Sequence, residues 1–235
     1  MKQYNGEKAI ISLTSWKARI KTVCKTLFSL IDQCPGFHIV LVLSEEEFPK
    51  KEDELPENLK IFIDNDLIEV LWVYKNWKSF KKVIFTMEKY PDVPVISADD
   101  DCIYTCNYAE KLFNSWQKNP KAIVTYRTSR DSICISPWGL ATLHPPHFYD
   151  LNSSLRIFEY CLKQGHSHDD VFYGFYSAFK GIVIRKCEIP NIGISLVSNY
   201  YRNSSLGQYR STHRVNHGIM MQNAFKAEFG KIIRG

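Results

Sequence analysis

Apolar residues along the first half of the chain alternate between short unbroken runs and stripes at helical spacing. Ala9 to Leu13 is an apolar run closed by Thr14 and Ser15, which predicts a buried strand. From about Ala18 to Gln33, Ile20, Val23, Leu27, Leu30 and Ile31 fall on one helical face, and Pro35 and Gly36 end the helix. Phe37 to Leu43 predicts a second buried strand, and the acidic stretch SEEEFPKKEDELP after it a solvated turn. Leu59 to Ile63 and Leu67 to Val73 predict two more strands. Trp77 to Tyr90 predicts a helix, with Phe80, Val83, Ile84 and Met87 at core spacing and Pro91 at its end. Val93 to Ala98 follows as a strand, Ala109 to Gln117 as a helix and Ala122 to Tyr126 as a strand. The second half is less regular, with a helix over Phe172 to Phe179 and a strand over Gly181 to Arg185. This alternation predicts an α/β fold, an open, mostly parallel, Rossmann-like sheet flanked by helices. No repeat, low-complexity tract or linker interrupts it, so one domain over residues 1–235 is expected.

Composition narrows the class. In 235 residues, 45% hydrophobic is enough for a sizeable core, and 14% aromatic is far from a disordered composition. The first residues lack a signal-peptide pattern, and no stretch reaches the roughly 20 apolar residues of a membrane span, so a cytoplasmic protein is expected. Its seven scattered cysteines are then expected to be reduced, and Cys102 and Cys106 have no second pair to build a zinc site. A net charge of +5 is too small for a dedicated nucleic-acid binder. It leaves open an ordinary solvated surface, a phosphate-bearing ligand or an anionic membrane surface.

The densest chemical signal is Asp99-Asp100-Asp101, placed where the apolar run VPVISA ends. Ligands of open α/β sheets bind at the carboxyl ends of strands. In an extended chain residues i and i+2 point the same way, so Asp99 and Asp101 would aim two carboxylates at one point. A hard divalent cation, Mn²⁺ or Mg²⁺, relieves the repulsion of three adjacent acids. The bland alternative is an acidic turn that caps the next helix. A second acidic pair, Asp169-Asp170, precedes the aromatic run VFYGFYSAF, where Asp169 suits a helix N-cap and Asp170 a first turn.

The segments SLTSWKARI, KSFKKVIFTM and VISADDDCIY resemble the nucleotide-diphospho-sugar glycosyltransferases of the GT-A fold, close to family 2 and the bacterial polysaccharide and lipopolysaccharide transferases. The resemblance covers roughly residues 9–185 in element order. It implies a nucleotide-sugar-binding half over about 1–106 and an acceptor-binding half with the C-terminal tail over 107–235. It implies that Asp99 and Asp101 hold a metal on the donor diphosphate, with Asp100 turned to the donor ribose or sugar. Thr14, Ser15 and Arg19 would lie at the nucleotide base. Where many members carry an Asp that reads uracil, this chain has Ser44 beside Glu45, while Lys78 or Lys81 would reach the donor. An acidic pair at the start of a late helix supplies the base of inverting members, which implicates Asp170 ahead of Asp169. The implied co-substrate is a nucleotide sugar, a UDP-sugar first, and the implied acceptor a glycan or glycolipid.

The tail adds two expectations. His213 and His217 lie four residues apart, either as surface histidines or with His217 completing the metal shell, in a polar, aromatic segment that includes Tyr200, Tyr201, Arg202 and Arg210 and could form a lid. Lys226, Lys231 and Arg234 among Phe225, Phe229, Ile232 and Ile233 fit either an amphipathic helix in peripheral membrane contact or a helix packed on the protein's own core. Two other classes stay open beside glycosyl transfer: a metal-dependent phosphoesterase or nucleotidyltransferase, and a non-catalytic nucleotide-sugar-binding module.

Overall fold

The structure is a computed structural model that describes residues 7–33, 35–130, 133–187, 195–196 and 217–233. The chain runs through β1 (Ala9–Thr14), α1 (Val23–Ile31), β2 (Phe37–Ser44), a 3-10 turn (Lys51–Glu54), α2 (Glu57–Asp64) and β3 (Glu69–Val73). A second 3-10 turn (Lys78–Phe80) leads into α3 (Lys81–Lys89), followed by β4 (Val95–Ala98), β5 (Cys102–Ile103) and α4 (Tyr108–Gln117). Then come β6 (Ile123–Thr125), β7 (Thr128–Arg130), β8 (Ile135–Pro137), β9 (Ala141–His144), α5 (Leu151–Lys163) and α6 (Asp169–Lys180). β10 (Ile184–Lys186), β11 (Ser195–Leu196) and α7 (His217–Phe229) complete the described elements.

Seven strands form one sheet in the order β10-β6-β9-β4-β1-β2-β3. β1 pairs in parallel with β2 and β4, β2 with β3, and β6 with β10, while β9 runs antiparallel between β4 and β6. The central strands are apolar on both faces because helices cover both. Ile11, Leu13, Leu41 and Ile96 pack with α1 and α4, and Ile10, Val40, Val42 and Val95 pack with α3, α5 and α6. Even the buried Ser12 is used: its hydroxyl bonds the Lys82 carbonyl and Thr86 Oγ1, which ties α3 to β1. The fold is thus an α/β open, mostly parallel sheet flanked by helices, with β1, β2 and β4 ending at one edge.

Several boundaries differ from expectation. Leu59 to Ile63 lies in a helix, α2, and not a strand. Pro56 precedes it, and the residues it buries, Leu59 and Phe62, are three apart, whereas Ile61 is exposed. The acidic stretch holds a 3-10 turn between buried Phe48 and Leu55. α1 starts only at Val23, because residues before it turn on the Trp16 carbonyl, which accepts from the Arg19 and Ile20 amides. The strand β9 and helix α5 went unpredicted, although α5 has an amphipathic pattern, with Ser154, Ile157, Phe158 and Cys161 buried on one face and Asp150 as its N-cap. The C-terminal helix α7 buries Met221, Ala224 and Phe225 against α5 and α6, and Phe229 stacks on Phe179 at 4.1 Å. This packing supports the alternative of a helix docked on the protein's own core, while Ile219 and Ile232 stay exposed; Arg234 lies outside the described residues. Among the described residues, no helix is long and apolar enough to cross a membrane.

One edge of the sheet carries an acid-sensitive cluster. Glu69 of β3 accepts from Lys89 Nζ at 2.7 Å and from the Tyr90 hydroxyl, and lies 3.0 Å from His38 Nε2. Burial pushes its carboxyl up, but His38, Lys89 and Tyr90 outweigh it and hold it at about 2. Because the folded value is depressed, the contribution is present above about 4.5 and lost as pH falls through about 2. Glu69→Gln is expected to cost on the order of 1–3 kcal/mol near neutrality. Urea unfolding should show that cost shrinking as pH drops below 4.5; a cost that does not change with pH would refute the assignment.

Candidate active site

The acid run begins where β4 ends. Ala98 is the last strand residue, and the Asp99 amide donates to the Tyr104 hydroxyl at 2.8 Å. That hydroxyl donates in turn to the Leu140 carbonyl at 2.8 Å, so the turn is fastened to the approach of β9. Asp99 and Asp101 are the outward members, with side chains 38% and 24% exposed. Asp100 is turned inward, at 7%. Its carboxylate accepts from Ser15 Oγ and from Arg19 Nη1, both at 2.6 Å, and its carbonyl accepts from Thr26 Oγ1. In this arrangement the Asp100 oxygens are engaged by Ser15 and Arg19 of the loop after β1. Burial raises its carboxyl, and Arg19 and Ser15 oppose the rise.

Arg19 also reaches Asp101 Oδ2 at 3.0 Å, so its guanidinium bridges two of the acids. Thr14 Oγ1 donates to the Val42 carbonyl at 2.7 Å. Ser44 is buried, with its hydroxyl 3.1 Å from Glu47 Oε2. Lys78 is exposed and has a left-handed backbone (φ 53°), outside the helix expected for it. Lys81 is buried and turned away from the acids, with its ammonium on Asn76 Oδ1, the Lys78 carbonyl and, at 3.8 Å, Glu47. Burial pushes it down to about 8.

The lysine at the acids is Lys82. Its buried ammonium lies 2.7 Å from Asp99 Oδ1 and 2.9 Å from Asp169 Oδ2. Burial alone would lower it, yet Asp169, Asp99 and Asp170 hold it above its ordinary value. One cation thereby joins the acid run on β4 to the acid pair on α6, across a large separation in sequence.

Asp169 and Asp170 form the first turn of α6, whose N-cap is His168 and not Asp169. Asp170 Oδ1 accepts from the Gly139 amide at 2.9 Å. A helix start ordinarily lowers a carboxyl. Here burial and the neighbouring Asp169 outweigh it and push Asp170 up to about 7. Gly139 leaves room for this cluster: a Cβ there would sit 2.8 Å from Asp170 Oδ1 and 2.9 Å from both Asp169 Oδ2 and Lys82 Nζ, so any side chain would displace those ends.

Four carboxylates thus pair with two cations, Arg19 and Lys82, and a fifth, Asp170, lies in the field of Lys82. The remaining negative charge, with Asp99 and Asp101 oxygens within 4.8 Å of each other, fits a hard divalent ion such as Mn²⁺ or Mg²⁺. Cys102 Sγ belongs to the same group, but burial and the charges of Asp99 and Asp101 raise its thiol well above the ordinary range, so it is not a thiolate. His217 stands elsewhere. Its ring is grouped with His166 and His168 and not with the aspartates. His213, Tyr200, Tyr201, Arg202 and Arg210 lie outside the described residues.

The sequence matches no protein-family model and no curated protein. Solved structures do match. The mannosyltransferase PcManGT from Pyrobaculum calidifontis, in complex with GDP-Man and Mn²⁺, aligns over 92% of this chain and 64% of its own, at 12% identity and a TM-score of 0.52. The fold is GT-A-like. GalNAc-T7 with UDP, GalNAc and Mn²⁺ aligns over 52% of this chain at 18% identity and a TM-score of 0.41, and S. aureus TarS over 52% at 13% and 0.40. This chain spans 23% of the GalNAc-T7 chain and 36% of the TarS chain. In the GT-A-like sheet of this chain, Asp99 to Asp101 occupy the carboxyl end of a central strand, where open α/β sheets place ligands.

Proposed function

We propose that the chain is a metal-dependent glycosyltransferase, a hexosyltransferase acting with inversion. The donor is a nucleoside-diphosphate sugar, taken here as a UDP-sugar, and the acceptor a hydroxyl of a glycan or glycolipid on the cytoplasmic side. The first half of the chain binds the donor and the second the acceptor. The observation that carries the reading is Lys82, whose ammonium brings the outward acids of β4 and the acid pair of α6 into one site on a GT-A-like sheet.

Asp99 and Asp101 would hold Mn²⁺ or Mg²⁺, which when bound neutralises charge on the diphosphate. Asp170 takes the proton of the acceptor hydroxyl. The acceptor oxygen bonds to the anomeric carbon as the bond from that carbon to the diphosphate oxygen breaks, releasing the nucleoside diphosphate. Burial and Asp169 raise the Asp170 carboxyl toward the range that suits proton transfer near neutral pH. Lys82 and Gly139 position the pair. A phosphoesterase or nucleotidyltransferase centre is less well supported: among the described residues, no further carboxylate or histidine joins Asp99 and Asp101.

The direct test is release of UDP from UDP-sugars with Mn²⁺ and a glycan or glycolipid acceptor. Metal and UDP binding without turnover across donors and acceptors would favour a binding module. Asp101→Ala is expected to abolish Mn²⁺-dependent UDP-sugar binding while the circular dichroism stays native. Burial and Asp99 already raise the Asp101 carboxyl, and Arg19 keeps Asp100 as a partner, so the substitution relieves repulsion and leaves the turn tied. Unchanged donor affinity in the presence of metal would refute the metal assignment.

A further inference from the structure

His166, His168 and His217 carry ring nitrogens that all lie within 4.8 Å of one another. His166 and His168 are buried, at 0% and 4% exposure, and His217 is half-buried. His166 Nδ1 and His217 Nδ1 are 2.8 Å apart, and the His168 and His217 ring centroids 4.2 Å. Two separate segments supply them, and both are held. Gly165, with φ 74°, turns the chain out of α5, and the His166 amide donates to the Cys161 carbonyl at 2.9 Å. The Ser167 carbonyl accepts from the Ser79 hydroxyl, and His168 is the N-cap of α6. His217 is the first residue of α7, which packs on α5 and α6.

Three imidazoles converging in a mostly buried position are a costly arrangement in which to place protons, since each added positive charge is close to the others. A nitrogen-preferring cation uses the same lone pairs productively. Zinc takes three histidine nitrogens at about 2.0–2.1 Å in a tetrahedral shell. That geometry spaces nitrogens about 3.3 Å apart, so the His166–His217 pair, at 2.8 Å, has to open by about half an ångström, while the group as a whole lies within 4.8 Å. Mn²⁺ and Mg²⁺ prefer oxygen, so this all-nitrogen group and the carboxylates of Asp99 and Asp101 select different ions.

We propose that His166, His168 and His217 form a zinc site distinct from the acid cluster. Zinc there clips the start of α7 to the loop that enters α6, and so fixes the turn bearing Asp169 and Asp170. The proposal does not depend on the transferase reading, because its test reads metal uptake and not turnover.

The full chain, freed of metal by a chelator, is titrated with ZnCl₂ in calorimetry. The same titration is run on Asp99→Asn/Asp101→Asn, which removes the outward carboxylates, and on that background with His217→Gln or His166→Gln added. One equivalent of zinc is expected in the wild type and in the carboxylate variant. Each histidine substitution is expected to weaken zinc at least about 100-fold, since loss of a ligand exceeds the 10–100-fold cost of losing an outer-shell partner. X-ray absorption at the zinc edge of the wild-type protein is expected to show imidazole scattering, a measurement that needs no variant to fold. No uptake by the wild type, affinity unchanged in folded histidine variants, uptake lost with the carboxylates alone, or a zinc spectrum without imidazole would each overturn the proposal.

Discussion

Replacing Asp170 by asparagine is expected to lower the sugar-transfer rate roughly 10²–10⁴-fold at saturating donor, the usual worth of a general base. Donor and metal affinity are expected to stay within a few-fold of wild type. Asparagine keeps the size of the side chain and can still accept the Gly139 amide through its Oδ1, so the turn at the head of α6 is preserved. What it loses is the ability to take a proton. A purely structural role predicts the opposite result. Asparagine serves about as well as aspartate at a helix start, and the N-cap of α6 is His168 in any case. Steady-state transfer measured beside a donor-binding titration separates the two. A rate within a few-fold of wild type would sink the base assignment. Asp169 would be the next candidate, but its carboxylate holds Lys82, so any variant there needs a stability measurement alongside.

Lys82→Met is the second large effect, and it is one of stability. The ammonium is buried against Asp99 and Asp169, and Asp170 lies within its field. Methionine matches its length and removes its charge, leaving the carboxylates to repel each other away from water. Breaking a buried ion pair from one side costs about 3–5 kcal/mol, and a loss in that range is expected near neutral pH. Lys81→Met is the control. Lys81 is as buried, but its nearest carboxylate, Glu47, is 3.8 Å away, and burial has already lowered its ammonium to about 8. The Lys81 variant is therefore expected to lose clearly less. Denaturant unfolding of both variants supplies the comparison. Equal losses, or a Lys82 loss below about 1 kcal/mol, would show that the ammonium does not carry the acid cluster.

The local information in this chain was sufficient for the parallel strands β1, β2 and β4 at the centre of the sheet, though not for the antiparallel β9 beside them. Runs such as AIISL and FHIVLVL must be buried on both faces, and parallel strands covered by helices are the arrangement that does so. The acid run was legible for a similar reason: three aspartates directly after a buried strand have to emerge where that strand ends. Legibility failed where period and length were ambiguous, as at Leu59 to Ile63, where an apolar pair three apart sits in a stretch too short to separate helix from strand. The partners of the acids were beyond reach for a different reason. Lys81 and Lys82 are neighbours, but successive helical residues point about 100° apart. Only the packing of α3 on β1 decides that Lys82 faces Asp99 and Asp169 while Lys81 faces Glu47. Gly139 carries no signature of its own, and the room it leaves matters only once Asp169, Asp170 and Lys82 close around it. His166 and His217 likewise meet through the docking of α7 on α5 and α6. The sequence by itself determined the central parallel strands and the acids, because burial and charge repulsion act on neighbours along the chain; the antiparallel β9, and which cation, amide and imidazole stand opposite the acids, were decided by helix phase and packing across the fold.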